Sequence, residues 1–162
     1  MKNSWIFIFP LLIIVAITYL AFFDTESQVE LIKKQTLLQK QAIAALGDLP
    51  ENTETIKLYM KHEEIMNAIG PMFQTHCASC HGKQGKGLAA PNLCDDSYIT
   101  IQTLTDLIPV IQNGNISKGM NPYKDILTQT EIVLLASYVA NLRGTSKEGK
   151  FPEGKQIDQW SK

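Results

Sequence analysis

Between Trp5 and Phe23 the chain carries no charged residue: the run reads WIFIFPLLIIVAITYLAFF. At ~1.5 Å rise per residue a helix of this length spans roughly 28 Å, about the hydrocarbon core of one bilayer. Such a segment has no polar face to offer water, so it restricts the architecture more than any other part of the chain. Pro10 falls near its start, where a missing N–H costs least. Trp5 near one end, with Tyr19, Phe22 and Phe23 near the other, fits aromatic anchoring at the membrane interfaces. A cleaved signal peptide is the competing reading. It requires a shorter apolar core and a small-x-small cleavage site, and Ala21-Phe22-Phe23-Asp24 supplies none. Residues 1–23 therefore read as one uncleaved transmembrane anchor. Lys2 precedes the span while Asp24 and Glu26 follow it, which keeps the amino end in the cytoplasm and exports the rest.

The remaining length of a 162-residue chain suits one domain with a connecting stalk. A formal net charge of −1 says nothing about nucleic acid, no basic stripe argues for it, and no nucleic-acid partner is expected. Residues 24–52 read as a stalk, with Leu31, Leu38, Ala42 and Ala45 on one stripe and Gly47 and Pro50 as stops. A compact domain is expected over 53–144. Its first helix is expected within 56–75, interrupted at Gly70-Pro71, and a short helix follows at TLTDLIPVIQ. The last helix begins at the capping box Thr128-Gln129-Thr130-Glu131 and continues through Ile132, Leu135, Ala136, Val139 and Leu142 to a stop at Gly144. The polar stretch 145–162 reads as a flexible tail. No strand pattern of any length is present, so the fold class is all-α.

Cys77-Ala78-Ser79-Cys80-His81 is a C-x-x-C-H motif, the pattern of covalent haem attachment. The reason is geometric. Residues three or four apart share one helical face, so both thiols can reach one porphyrin edge. His81 can then turn its imidazole beneath the ring, and Ala78 and Ser79 let the ring approach the backbone. A thioredoxin-like thiol pair requires a preceding strand and a βαβ surround, which this chain lacks. Zinc requires a second ligand pair, and the remaining Cys94, His62 and His76 make none. Three cysteines also do not pair off into a disulfide framework.

A six-coordinate haem needs a second axial ligand, and Met120 is the one methionine after the motif. It sits in Lys118-Gly119-Met120-Asn121-Pro122, a flexible ligand loop. A proximal histidine donates its other ring nitrogen to a carbonyl or carboxylate, and the loop Ala90-Pro91-Asn92-Leu93 is positioned to supply that carbonyl from Pro91. The iron ligands are thus His81 and Met120. The apolar surround is expected from Leu93, Leu104, Ile108, Ile111 and Val139, and a basic rim from Lys83, Lys86 and Lys118. His76 is expected to face solvent, His62 to lie on the surface, and Cys94 to be a loop thiol open to an intermolecular disulfide.

From about Ile56 to Gly144 the chain resembles a class I cytochrome c domain, and most of all the haem c domain of the cytochrome c subunit of cbb-type haem-copper oxidases. Phe73 with CASCHG, GKGLAAPNL, IQNG, KGM and LTQTEIVLLASYVANLRGTS carry the resemblance, with KFPEGK after them. It implies a single haem c bound through Cys77 and Cys80. It also implies crossing first and last helices that meet at Gly70, Phe73 and Tyr138. The function it implies is a membrane-anchored monohaem carrier of single electrons in a respiratory chain, as a subunit of, or donor to, a cbb-type terminal oxidase. The haem domain is then on the periplasmic side of the cytoplasmic membrane, with respiratory subunits as partners. Alternatives are a peroxidase-like or ligand-binding haem protein in which Met120 is labile, a structural haem subunit, and a free-standing tethered shuttle.

Overall fold

The computed structural model describes residues 5–158 and 160, without the side chains of 5–9 and 21–24. The side chains of the aromatic anchors Trp5, Phe22 and Phe23, and the whole of Lys2, thus lie outside what is described. Two compact units divide the chain, Met1–Ala42 and Ile43–Lys162. The first is helix α1, Trp5–Ala44, most of whose length belongs to it. Its side chains Leu11 through Leu20 are exposed. Among the described residues one helix is long and apolar enough to cross a membrane.

The second unit is helical: α2 (Thr53–Met60), α3 (Glu63–His76), α4 (Ala78–His81), α5 (Leu107–Asn113) and α6 (Gln129–Leu142). The core is built on α6, which packs against α2, α3 and α5. Ile132, Leu135, Ala136 and Val139 are buried along it, and so are Val133, Leu134 and Ala140, because partners surround the helix on several sides. Its start is the capping box, with Thr128 Oγ1 accepting from Glu131 N and Glu131 Oε2 accepting from Thr128 N at 2.8 Å. Phe73 is fully buried, its ring 5.2 Å from that of Tyr138. A Cβ added at Gly70 would stand 3.8 Å from Tyr138, an ordinary contact, so the α3–α6 crossing does not demand glycine there.

Several boundaries differ from expectation. The compact unit begins at Ile43, ahead of residue 53, because Ile43 and Leu49 are buried in its core. The helix break falls at Lys61–His62, where Asn141 Nδ2 donates to the Met60 carbonyl at 2.7 Å and closes the end of α2. Pro71 lies inside α3 and does not interrupt it; the carbonyl it leaves unpaired belongs to exposed Asn67. The stretch from 145 is not a flexible tail. It returns along the domain, and Lys155–Gln156 (β2) pairs antiparallel with Ser97–Tyr98 (β1), so a two-residue ladder exists where no strand was expected. A long-range ladder this short leaves no pattern in the sequence.

A 3-10 turn, Leu104–Asp106, leads into α5. Asp106 Oδ2 accepts from the backbone of Gln102 (2.9 Å) and Thr103 (2.7 Å). Slight burial pushes this carboxyl up, but the hydrogen bonds from Gln102 and Thr103 outweigh it and hold it below its ordinary value. A depressed folded-state value gives stability that is present above the unfolded-state value and lost as pH falls through the folded one. Asp106→Ala is expected to cost less than about 1 kcal/mol near neutrality, since the residue is only partly buried and solvent screens its carboxylate. Thermal melts across acid pH should show the gap to the parent chain closing. A constant gap down to strong acid removes the carboxylate from the account.

Candidate functional site

The motif begins where α3 ends. Cys77 N donates to the Phe73 carbonyl (2.9 Å) and His81 N to the Cys77 carbonyl (2.9 Å), so the two cysteines and the histidine share one helical turn. Gly82 then reverses the chain at φ +81°. Gly87 N donates to the His81 carbonyl (2.7 Å), and Leu88 N and Ala90 N donate to that of Cys80 (3.1 and 3.0 Å). These bonds fold the loop back over the motif. They bring the Pro91 carbonyl to 2.9 Å from His81 Nδ1. With the proton on Nδ1, the remaining lone pair of the imidazole is at Nε2.

Met120 arrives from the other side. Asn115 N donates to the Met120 carbonyl (2.9 Å) and Met120 N to the Asn115 carbonyl (3.0 Å), which closes the ligand loop on itself. Gly114, at φ +67°, is required at its neck: a Cβ there would lie 2.5 Å from the Met120 carbonyl oxygen. Tyr123 fastens the loop to the motif, its hydroxyl donating to the His76 carbonyl at 2.6 Å.

Cys77, Cys80, His81, Pro91 and Met120 line one cavity of about 420 Å³. Phe73, Leu93, Leu107, Ile111 and Val139 supply apolar wall. Leu104 and Ile108 are buried in the core but lie outside this lining, and Leu107 and Val110 stand in their place. On α5, residues 107, 110 and 111 share a face, and Ile108 points roughly 100° away from its centre. His76 was expected in solvent, but it is partly buried and lines the cavity, its ring edge-on to Tyr123 at 5.8 Å. Lys118 stands at the cavity, whereas Lys83 and Lys86 border a different cleft beside Tyr138 and Leu142, and Lys86 pairs with Glu148 at 3.4 Å. The three lysines therefore do not form one rim.

The electrostatics separate the possible cargoes. Burial, with the neighbouring Cys80 adding to it, pushes the Cys77 thiol up to about 11. A redox-exchanging cysteine needs the opposite, a thiolate stabilised near neutral pH. Among the described residues no group of three or more His, Cys, Asp or Glu side chains is arranged to hold a metal ion. Burial holds the His81 imidazole below its ordinary value; the Pro91 carbonyl opposes this and the charge of Lys150 adds to it. This favours the neutral ring, the form in which histidine ligates. Two thiols, an imidazole and a thioether facing an apolar cavity fit a haem.

Cys94 is closed to partners: it is 1% exposed, its thiol donating to the Gln84 carbonyl (3.2 Å). An intermolecular disulfide there is ruled out by burial. His62 is exposed. Asn92, Arg143 and Lys150 were given no role of their own in the sequence reading, because nothing in their spacing links a loop amide to residues some fifty positions away.

Residues 65–139 match a family model described as cytochrome C oxidase, cbb3-type, subunit III. Among curated relatives, the cbb3-type cytochrome c oxidase subunit FixP of Azorhizobium caulinodans is 30% identical over 126 residues, 72% of this chain and 40% of that protein. Subunit CcoP of Rhodobacter capsulatus is 37% identical over 92 residues, 51% of this chain and 31% of its own. The chain thus spans well under half the length of these relatives. Cytochrome CL of the marine methylotrophic bacterium Methylophaga aminisulfidivorans MPT has a solved structure that is 27% identical, covering 59% of this chain and 75% of its own, with a TM-score of 0.47.

Proposed function

We propose, from a chain whose residues 65–139 are a cytochrome c domain of the kind found in subunit III of cbb3-type oxidases, that the protein is a membrane-anchored monohaem electron carrier serving such an oxidase. The observation that carries this is the single cavity in which Cys77, Cys80, His81, Pro91 and Met120 meet. Cys77 and Cys80 would hold one haem c by thioether bonds, and His81 and Met120 would ligate its iron. When bound, the haem supplies a one-electron couple. With His81 and Met120 both holding the iron, no coordination site would be left for a substrate. That favours electron transfer over the peroxidase-like alternative. Phe73, Leu93, Ile111 and Val139 exclude water from the cavity. The Pro91 carbonyl fixes the His81 tautomer and strengthens it as a ligand.

The apolar part of α1 anchors the protein in the cytoplasmic membrane, and the haem domain faces the periplasmic side, where respiratory subunits are its partners. Tethering raises the effective concentration of the domain at membrane redox complexes. Purification in mild detergent tests the assignment: the haem protein is expected to co-purify with the catalytic subunits of a cbb-type oxidase. Recovery as a lone haem protein, with oxidase activity intact elsewhere, replaces the subunit reading with that of a tethered shuttle.

A further inference from the structure

The segment after α6 closes over the loop that carries Pro91. Lys150 is the centre of this closure. Its backbone N donates to the Lys86 carbonyl (2.8 Å), its carbonyl accepts from Asn92 Nδ2 (3.3 Å), and its ammonium donates to the Ala89 carbonyl (3.1 Å). These three points lie on both sides of Pro91 in one loop. Asn92 is 5% exposed, and its Oδ1 accepts from Cys94 N at 2.8 Å. The residue next to Pro91 is therefore held by the strap on one side and by its own loop on the other.

The fit leaves no slack. Gly149 adopts φ +145°, and a Cβ there would stand 2.7 Å from Asn92 Nδ2 and closer still to the Lys86 carbonyl oxygen. A Cβ on Gly87 would stand 2.8 Å from that of Lys150. The far end is pinned as firmly. Arg143 is 4% exposed, with Nε 2.7 Å from Asp96 Oδ1 and its other N–H groups donating to the carbonyls of Ile157 (2.8 Å) and Asp158 (3.0 Å). Its guanidinium lies 4.4 Å from the Trp160 ring. Ile157 N donates to the Asp96 carbonyl (3.0 Å) beside the β1–β2 ladder.

We propose that residues 149–158 are a strap and that Lys150 is a positioning residue. By fixing Lys86, Ala89 and Asn92, it presses the Pro91 carbonyl against His81 Nδ1 and so sets the strength of the imidazole as an iron ligand. The inference rests on the haem reading above. A firm bond from Nδ1–H to a carbonyl makes the ring more electron-rich, which favours the oxidised iron. Slackening the strap weakens that bond and raises the reduction potential. The ammonium itself is partly neutralised, since Glu153 Oε1 lies 2.7 Å away as an ion pair without hydrogen-bond alignment.

The test uses the full-length haem-loaded protein and Gly149→Ala, which displaces the strap while keeping every charge. The midpoint potential is expected to rise. The His81 Nδ1 proton should exchange with solvent several-fold to about tenfold faster, the factor one weakened hydrogen bond allows. The Met-to-iron charge-transfer band should persist. A second chain ending after Glu148, measured at high ionic strength to screen the lost charges, should show the same two changes. A truncated chain that keeps the parent potential and exchange rate overturns the proposal, because a merely structural strap moves neither. A parent chain without covalent haem fails the earlier reading, and that is visible before any variant is made.

Discussion

Cys77→Ala combined with Cys80→Ala is expected to abolish covalent haem attachment and most of the stability of the 43–162 unit. The thiols stand on one turn at the mouth of the apolar cavity, and no other cysteine reaches it, since Cys94 is buried elsewhere. The cavity walls then lose the group they pack on, and stabilisation by a group held only in the folded state, about 4 kcal/mol or more, is a large share of the folding free energy of an ordinary domain. Haem staining of the denatured chain should be lost, and thermal melting of the helical signal should move sharply downward. Retention of haem through denaturation overturns the attachment.

The second large effect is expected at Met120. Met120→Ala leaves the loop closed, because the Asn115–Met120 bonds use backbone atoms only. It removes the thioether from the cavity. The Met-to-iron charge-transfer band should vanish, carbon monoxide should bind the reduced protein, and the potential should fall by on the order of a hundred millivolts, within the ~0.8 V range that axial ligands span. If the parent protein already binds carbon monoxide readily, Met120 is not a ligand, and the ligand-binding alternative gains what the carrier reading loses.

Much of this was legible because it is local. The Thr128–Glu131 box and the helical spacing beyond it announce α6, since caps and periodicity act over a few residues. The C-x-x-C-H motif names its cofactor because two thiols and an imidazole need only one helical turn to converge. The resemblance to oxidase cytochrome c domains agrees with the matched family over residues 65–139. Other features were misplaced because they are set at a distance. Leu104 and Ile108 were given to the haem surround because apolar character does not say which buried surface a residue joins. Gly70-Pro71 looked like a break, yet the break formed at Lys61–His62, where Asn141 meets the end of α2.

The stretch after Gly144 shows the division most clearly. Its Gly, Lys and Glu content predicts a solvated tail. The structure instead makes it a strap through backbone bonds from Lys150 and Ile157 and through carbonyls held by Arg143. The sequence by itself determined an apolar span, a helical class and the C-x-x-C-H turn, because each follows from residues close together along the chain. Only tertiary structure decided that the segment around Lys150 lies against the Pro91 loop. Backbone donors and acceptors are the same in every residue, so their long-range pairing leaves no mark on the sequence.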